Sequence, residues 1–274
     1  MSQHDTQREM PTLGMGTFRL KGEVAYESVK MALDVGYRHI DTAQIYDNEA
    51  EVGKAIADSG IAREELFVTT KVWNSKLSPA LFMDSVHESL EKLGLKQVDL
   101  LLIHWPSPEE GTEMAVYLKE LKRAKELGLT RYIGVSNFTI ANLKEALEVL
   151  TADEIYTNQV EVHPYLTNQK LREFCQQQGI HITGYMPFAV GKVLSDDTII
   201  KIANQHQRSP AEVVLAWEFA QGMATIPSST KRKNLESNFA SLDLNLSDEE
   251  VQAINKLDCS DRQANPGFSP EWDQ

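Results

Sequence analysis

The stretch "VDLLLIHW", residues 98–105, sets Val98 and the run Leu100–Ile103 ahead of a histidine and a tryptophan. A near-continuous run of branched apolar residues is the pattern of a parallel strand covered on both faces; a strand with one wet face would alternate. Seven more short runs are strand candidates, several of them of the same character: "TLGMGT" (12–17), "HID" (39–41), "LFVTTK" (66–71), "YIGVSN" (132–137), "YTNQVEV" (156–162), "HITGYM" (181–186) and "MATIP" (223–227). Longer amphipathic segments separate them. Eight strand–helix units within about 250 residues predict a (β/α)8 TIM barrel, an α/β fold in a single domain. A doubly wound sheet would want a glycine-rich phosphate loop after its first strand, and "GMGT" (14–17) lacks both the third glycine and the following helix.

Helix punctuation supports the same division. Asn48, with Glu51 three residues on, is expected to cap a helix whose apolar stripe is Val52, Ala55 and Ile56. Ser78–Pro79 opens another helix that Gly94 closes. Ser209 with Glu212, and Ser247 with Glu250, repeat the device. No linker or low-complexity tract divides the chain. Residues 1–10 are polar and are expected to form a disordered tail; residues 11–274 are expected to form the barrel, ending in a loop over 260–274.

The chain carries a net charge of −13 over 274 residues, which argues against a general affinity for nucleic acid or anionic membrane. No apolar run approaches the roughly 20 residues that cross a bilayer. The two cysteines, Cys175 and Cys259, lack metal-knuckle spacing and suit a reducing cytoplasm.

In such a barrel the active site forms where the strands end. Asp41 ends the second run, Lys71 the third, and His104 nearly ends the fourth; Ser136 and Asn137 end the fifth, Gln159 and Glu161 lie in the sixth, and Tyr185 nearly ends the seventh. A lone titratable group at the end of an apolar strand is costly unless paired, so Asp41, Lys71 and His104 are expected to share one cluster. Tyr46 follows Asp41 by five residues. A phenol titrates near ~10, and a neighbouring ammonium would lower that value. A carboxylate would hold the lysine charged, and a neutral imidazole could donate to a carbonyl oxygen. Together they form a proton donor beside a carbonyl, and reduction would then need a hydride cofactor. Competing readings are a metal-dependent hydrolase on His39, Asp41, His104 and His163, a Schiff-base enzyme using Lys71, and a non-catalytic binding barrel. The first lacks a His-x-His pair, and the second needs an uncharged lysine although Asp41 stands by. No resident metal is expected.

Six ordered motifs, "GYRHIDTAQIYDNEAEVG", "TTKVW", "VDLLLIHWP", "IGVSNF", "NQVEVHPYL" and "IPSSTKRKNLESN", resemble those of the aldo-keto reductases over nearly the whole chain. The resemblance implies NADPH/NADP+ bound in an extended form without a Rossmann fold. It implies Tyr46 as general acid, Lys71 and Asp41 as its ion pair, and His104 as the group that orients the carbonyl. It places Thr17, Asp41, Ser136, Asn137, Gln159 and Tyr185 around the nicotinamide half. Ser229, Thr230, Lys231, Arg232 and Asn238 fall at the adenosine-phosphate half. That half departs from the usual pattern, with Ser228, Asn234 and Ser237 where many relatives have lysine, arginine and glutamate. The consecutive cations Lys231, Arg232 and Lys233 are expected to serve the 2′-phosphate instead. Phe18, Tyr46, Trp73, His104, Trp105 and Trp272 are expected to line the substrate pocket. A short segment between Pro106 and Ala115 implies an open pocket suited to small carbonyl compounds such as methylglyoxal and 2,5-diketo-D-gluconate. A monomer is the family expectation.

Overall fold

The computed structural model describes residues 9–106 and 111–273. Residues 1–8, most of the expected tail, and residues 107–110 of the short pocket-side segment lie outside the described residues. All eight expected strands form: β1 (Gly14–Gly16), β2 (His39–Asp41), β3 (Phe67–Val72), β4 (Val98–Ile103), β5 (Thr130–Ser136), β6 (Ile155–Glu161), β7 (His181–Tyr185) and β8 (Ala224–Thr225). They pair in parallel in the order β1 to β8. The ring is completed by a parallel bridge between Leu13 and Thr225 and by the Gly16 N–H donating to the Pro227 carbonyl at 3.1 Å.

β1 contains glycines because the closure is tight. A Cβ on Gly16 would stand 2.5 Å from the Ile226 carbonyl oxygen, and one on Gly14 would stand 2.6 Å from His39 Nδ1. Helices α1 (Gly22–Val35), α2 (Glu49–Asp58), α3 (Pro79–Leu93), α4 (Met114–Glu126), α5 (Ile140–Ala146) and α6 (Gln169–Gln178) follow β1 to β6 in turn. Two helices, α7 (Asp197–His206) and α8 (Pro210–Ala220), separate β7 from β8. Two more, α9 (Arg232–Ala240) and α10 (Asp248–Asn255), follow β8.

Strand pleating sorts the side chains. Val68, Thr70 and Val72 of β3 face outward: Val68 and Val72 join the main core, and the Thr70 hydroxyl meets Glu49 of α2 at 2.6 Å. Phe67, Thr69 and Lys71 point into the barrel, as do Leu100 and Leu102 of β4. Phe67, Leu100 and Leu102 form a second apolar cluster closed by Met10, Tyr132 and Tyr156. The Met10 N–H donates to the Tyr156 hydroxyl at 3.0 Å, which ties down the start of the described chain. The same parity that plugs one end of the barrel puts Asp41, Lys71 and His104 together at the other.

Capping holds at α8 and α10, where Ser209 and Ser247 accept the N–H groups of Glu212 and Glu250. It fails at α2 and α3. Pro79 opens α3 as expected, but the Ser78 side chain makes no cap bond. The Asn48 side chain is buried and used elsewhere: its Oδ1 accepts from Thr42, and its Nδ2 donates to the carbonyls of Thr17 and Leu20. Tying the loops after β1 and β2 together makes three bonds, whereas a cap would make one.

Candidate active site

The ends of β2 and β3 deliver a buried ion pair. Lys71 Nζ lies 2.5 Å from Asp41 Oδ1, with side chains 0% and 1% exposed. The ammonium also donates to the Thr42 carbonyl at 2.8 Å, and Asp41 Oδ2 accepts from Gln159 Nε2 at 2.7 Å. Burial pulls the Lys71 ammonium below its ordinary range, and the Asp41 charge opposes that shift.

Tyr46 sits in a 3-10 turn (Gln44–Tyr46) just beyond β2. Gln44 fixes this turn: its Oε1 accepts the Trp73 N–H at 2.9 Å, and its Nε2 donates to Ser85 and Ser89 of α3. The Tyr46 ring lies 5.0 Å from Lys71 Nζ, and the His104 ring stands edge-on to it at 5.6 Å. The expected acidification of the phenol by Lys71 is not what the site produces. Burial, then the Asp41 charge, hold the Tyr46 hydroxyl well above the usual phenol range. In the resting site the cost of charging a buried phenol outweighs what an ammonium already paired with Asp41 returns. Tyr46 therefore keeps its proton at neutral pH.

His104 is neutral as expected, because burial and then the Lys71 charge push its imidazole well below its ordinary value. Its Nδ1 is buried without a hydrogen-bond partner among the described residues. An unpaired buried N–H costs more than a bare lone pair, so the proton belongs on Nε2, where it can be donated into the cavity.

Asp41, Tyr46 and His104 share the wall of a cavity of about 720 Å³, with Lys71 buried behind them. Phe18, Trp73 and Trp105 wall it as expected, together with Thr17, Ser136, Asn137, Gln159 and Tyr185. Ser136 donates to the Gln159 carbonyl at 2.8 Å, and the Tyr185 hydroxyl donates to Asn137 Oδ1 at 2.7 Å. Gln159 Nε2 is spent on Asp41, which leaves its Oε1 as an acceptor for an amide N–H. That donor and acceptor set beside the Tyr185 ring fits a carboxamide-bearing planar ring such as nicotinamide.

The cavity wall runs as far as Ser228 and does not include Ser229, Thr230, Lys231, Arg232 or Asn238. Lys231 and Arg232 stand exposed at the first turn of α9. Arg232 already pairs with Asp34 at 3.3 Å and Glu236 at 3.5 Å, whereas the Lys231 ammonium has no partner among the described residues. Asn238 is buried at 2% exposure beneath the turn.

Trp272 also stays off the cavity wall. The Arg262 guanidinium covers its ring at 3.7 Å, and its indole N–H donates to Asn265. Its place is taken by Phe268, edge-on to Trp73 at 5.7 Å and to Trp105 at 5.4 Å. Phe268 was hidden in a tail with no periodicity; its setting between Gly267 and Ser269–Pro270 marks a loop, not a contact.

The metal-site alternative does not assemble. His39 Nε2 meets Thr69, and His163 Nε2 meets Glu161. Among the described residues no group of three or more His, Cys, Asp or Glu could hold a metal ion.

A parallel eight-stranded barrel with a protonated phenol, an ion pair and a neutral imidazole at one cavity is the arrangement of a carbonyl-reducing oxidoreductase. Comparison with known proteins gives the family: residues 12–258 match the Aldo/keto reductase family, and the chain belongs to it. It is 52% identical over 265 residues to "Methylglyoxal reductase DkgB" of Escherichia coli O157:H7, covering 96% of this chain and 99% of that one. It is 41% identical to "Glyoxal reductase" of Bacillus subtilis (strain 168), over 93% of this chain and 91% of that one. A solved structure described as a putative 2,5-diketo-D-gluconic acid reductase B superposes with a TM-score of 0.93 at 41% identity, covering 97% of this chain and 94% of that one. The protein is an NADPH-dependent aldo-keto reductase.

Proposed function

We propose that this enzyme reduces short dicarbonyl compounds, methylglyoxal and 2,5-diketo-D-gluconate among them, at the cavity above Asp41, Lys71 and His104. The observation that carries this is the half-buried Tyr46 phenol, near the Lys71 ammonium and the His104 ring, on a cavity walled by Phe18, Trp73, Trp105 and Phe268.

NADPH, when bound, supplies the hydride. Ser136, Asn137 and Gln159 would hold its carboxamide, and Tyr185 would support the ring. Thr17 and Asp41 border the same end. Ser229, Thr230, Lys231 and Arg232 would meet the 2′-phosphate at the first turn of α9, with Asn238 beneath them. His104 Nε2–H donates to the substrate carbonyl oxygen and orients it. As negative charge develops on that oxygen, Tyr46 gives it the phenolic proton, and the alcohol leaves. Lys71 limits the cost of the resulting phenolate, and solvent restores the proton. A phenol that holds its proton tightly at rest suits this order, because transfer then waits for the charge to appear.

A monomer in the cytoplasm completes the reading; two unpaired cysteines suit a reducing compartment. Among the described residues no helix is long and apolar enough to cross a membrane.

NADPH oxidation against methylglyoxal, 2,5-diketo-D-gluconate and an aromatic aldehyde tests the proposal. The two dicarbonyls are expected to give the higher kcat/KM. Tyr46→Phe is expected to keep NADPH binding and lose about 10²-fold or more in kcat. Turnover near wild type would remove Tyr46 from its role.

A further inference from the structure

Glu161 takes no part in the reduction, yet its carboxylate is 0% exposed at the end of β6, two residues beyond Gln159 and paired in register with Tyr185. Its Oε1 accepts the Gln263 N–H at 2.7 Å and His163 Nε2–H at 2.8 Å; its Oε2 accepts the Ala264 N–H at 2.7 Å. Both oxygens are thus satisfied, chiefly by the backbone of a segment with no helix or strand of its own.

Neighbouring contacts continue the tie. Asn168 Nδ2 donates to the Glu161 carbonyl at 2.6 Å, and Arg262 donates to Asn168 Oδ1 at 3.2 Å. Arg262 in turn lies on the Trp272 ring, and the carboxylate of the adjacent Asp273 accepts the Ile140 N–H at 3.0 Å. Gln263, Ala264, Asn265, Pro266 and Phe268 all wall the cavity. A buried carboxylate is costly without donors, and these backbone N–H groups would be costly without an acceptor, so each secures the other.

We propose that Glu161, oriented by His163, is a positioning residue that locks the C-terminal segment over the substrate end of the cavity. The lock holds Phe268 between Trp73 and Trp105 and so restricts the pocket to short dicarbonyls, against aryl-substituted ones. The inference rests on the carbonyl-reductase reading of that cavity.

Glu161→Gln in the full chain keeps the shape but replaces one acceptor oxygen with an NH2 that opposes a backbone N–H. Its kcat/KM for methylglyoxal is expected to fall about tenfold through KM. The ratio of kcat/KM for phenylglyoxal to that for methylglyoxal is expected to rise about tenfold, while NADPH affinity, read by fluorescence titration, moves by less than about threefold. A purely structural role would lower both substrates together and leave the ratio alone. Trypsin cleavage after Arg262 is expected to quicken about tenfold as the segment opens, with other sites unchanged. An unchanged ratio overturns the proposal whatever the cleavage does, and so does unchanged cleavage. If Glu161→Gln does not fold, Ala264→Pro removes one donor from the segment side, and the same ratio shift is expected; a wild-type ratio there also overturns it. Failure of the wild type to reduce either dicarbonyl would sink the reading of the site, while the trypsin measurement, which needs no substrate, would still decide the lock.

Discussion

Lys71→Met separates the structural from the chemical work of the ion pair. The substitution is nearly isosteric and leaves the buried Asp41 carboxylate, 1% exposed, with the Gln159 amide at 2.7 Å as its side-chain donor among the described residues. Breaking a buried pair by removing one partner costs about 3–5 kcal/mol, a large part of a typical domain's stability of about 5–15 kcal/mol. Asp41→Asn should cost a similar amount, since an amide supplies no charge to balance the buried Lys71 ammonium. The double variant removes both charges. What it retains is the Thr42 carbonyl without its donor, a deficit of about 1–3 kcal/mol. The two single effects should therefore be far from additive, with an interaction energy of at least about 3 kcal/mol. Urea denaturation with an unchanged m value measures this directly. The same double variant, though rescued in stability, should stay far below wild type in kcat, because nothing then offsets the Tyr46 phenolate. Additivity within about 0.5 kcal/mol would refute the coupling. Recovery of kcat along with stability would show that Lys71 serves the fold only.

Gly16→Ala should destabilise by about 1–3 kcal/mol, because the new methyl would meet the Ile226 carbonyl oxygen where β1 closes on β8; denaturation midpoints check it. His39 is buried, and burial lowers its imidazole to about 4. The unfolded chain binds a proton near 6.5 and the native state does not, so stability is lost as pH falls through this window. The loss should reach about 3 kcal/mol between about pH 7 and pH 4, and His39→Gln should flatten that slope in urea titrations at each pH. Lys231→Ala with Arg232→Ala should raise the KM for NADPH about tenfold or more over that for NADH; an equal rise for both would show that the pair does not read the 2′-phosphate.

Much of the barrel was legible because local rules act locally. "VDLLLIHW" is long and apolar enough to state a buried strand by itself, "HID" counts only through its place in the strand–helix alternation, and Ser209 and Ser247 cap as their spacing says. Asn48 was not legible in the same way. Its spacing to Glu51 is that of a cap, but burial gave its amide three stronger demands from the loops after β1 and β2. Trp272 and Phe268 show the same limit at the pocket: both are aromatics in an aperiodic tail, and only the path of that tail decides which one faces the cavity.

Strand number, parallel order and the residues at strand ends could be read from the chain alone. Those follow from pleat parity and hydrophobic runs, which need no knowledge of distant contacts. Tertiary structure alone decided how Asp41, Lys71, Tyr46 and His104 influence one another. Residue types suggested an ammonium acidifying a phenol, but the fold pairs that ammonium with Asp41 at 2.5 Å and buries the phenol beside the same carboxylate. Burial then governs both the phenol and the imidazole, because the cost of charging a group depends on the medium and neighbours the fold provides. Tertiary structure also joined Glu161 to a loop about a hundred residues away, a pairing that no local spacing could encode.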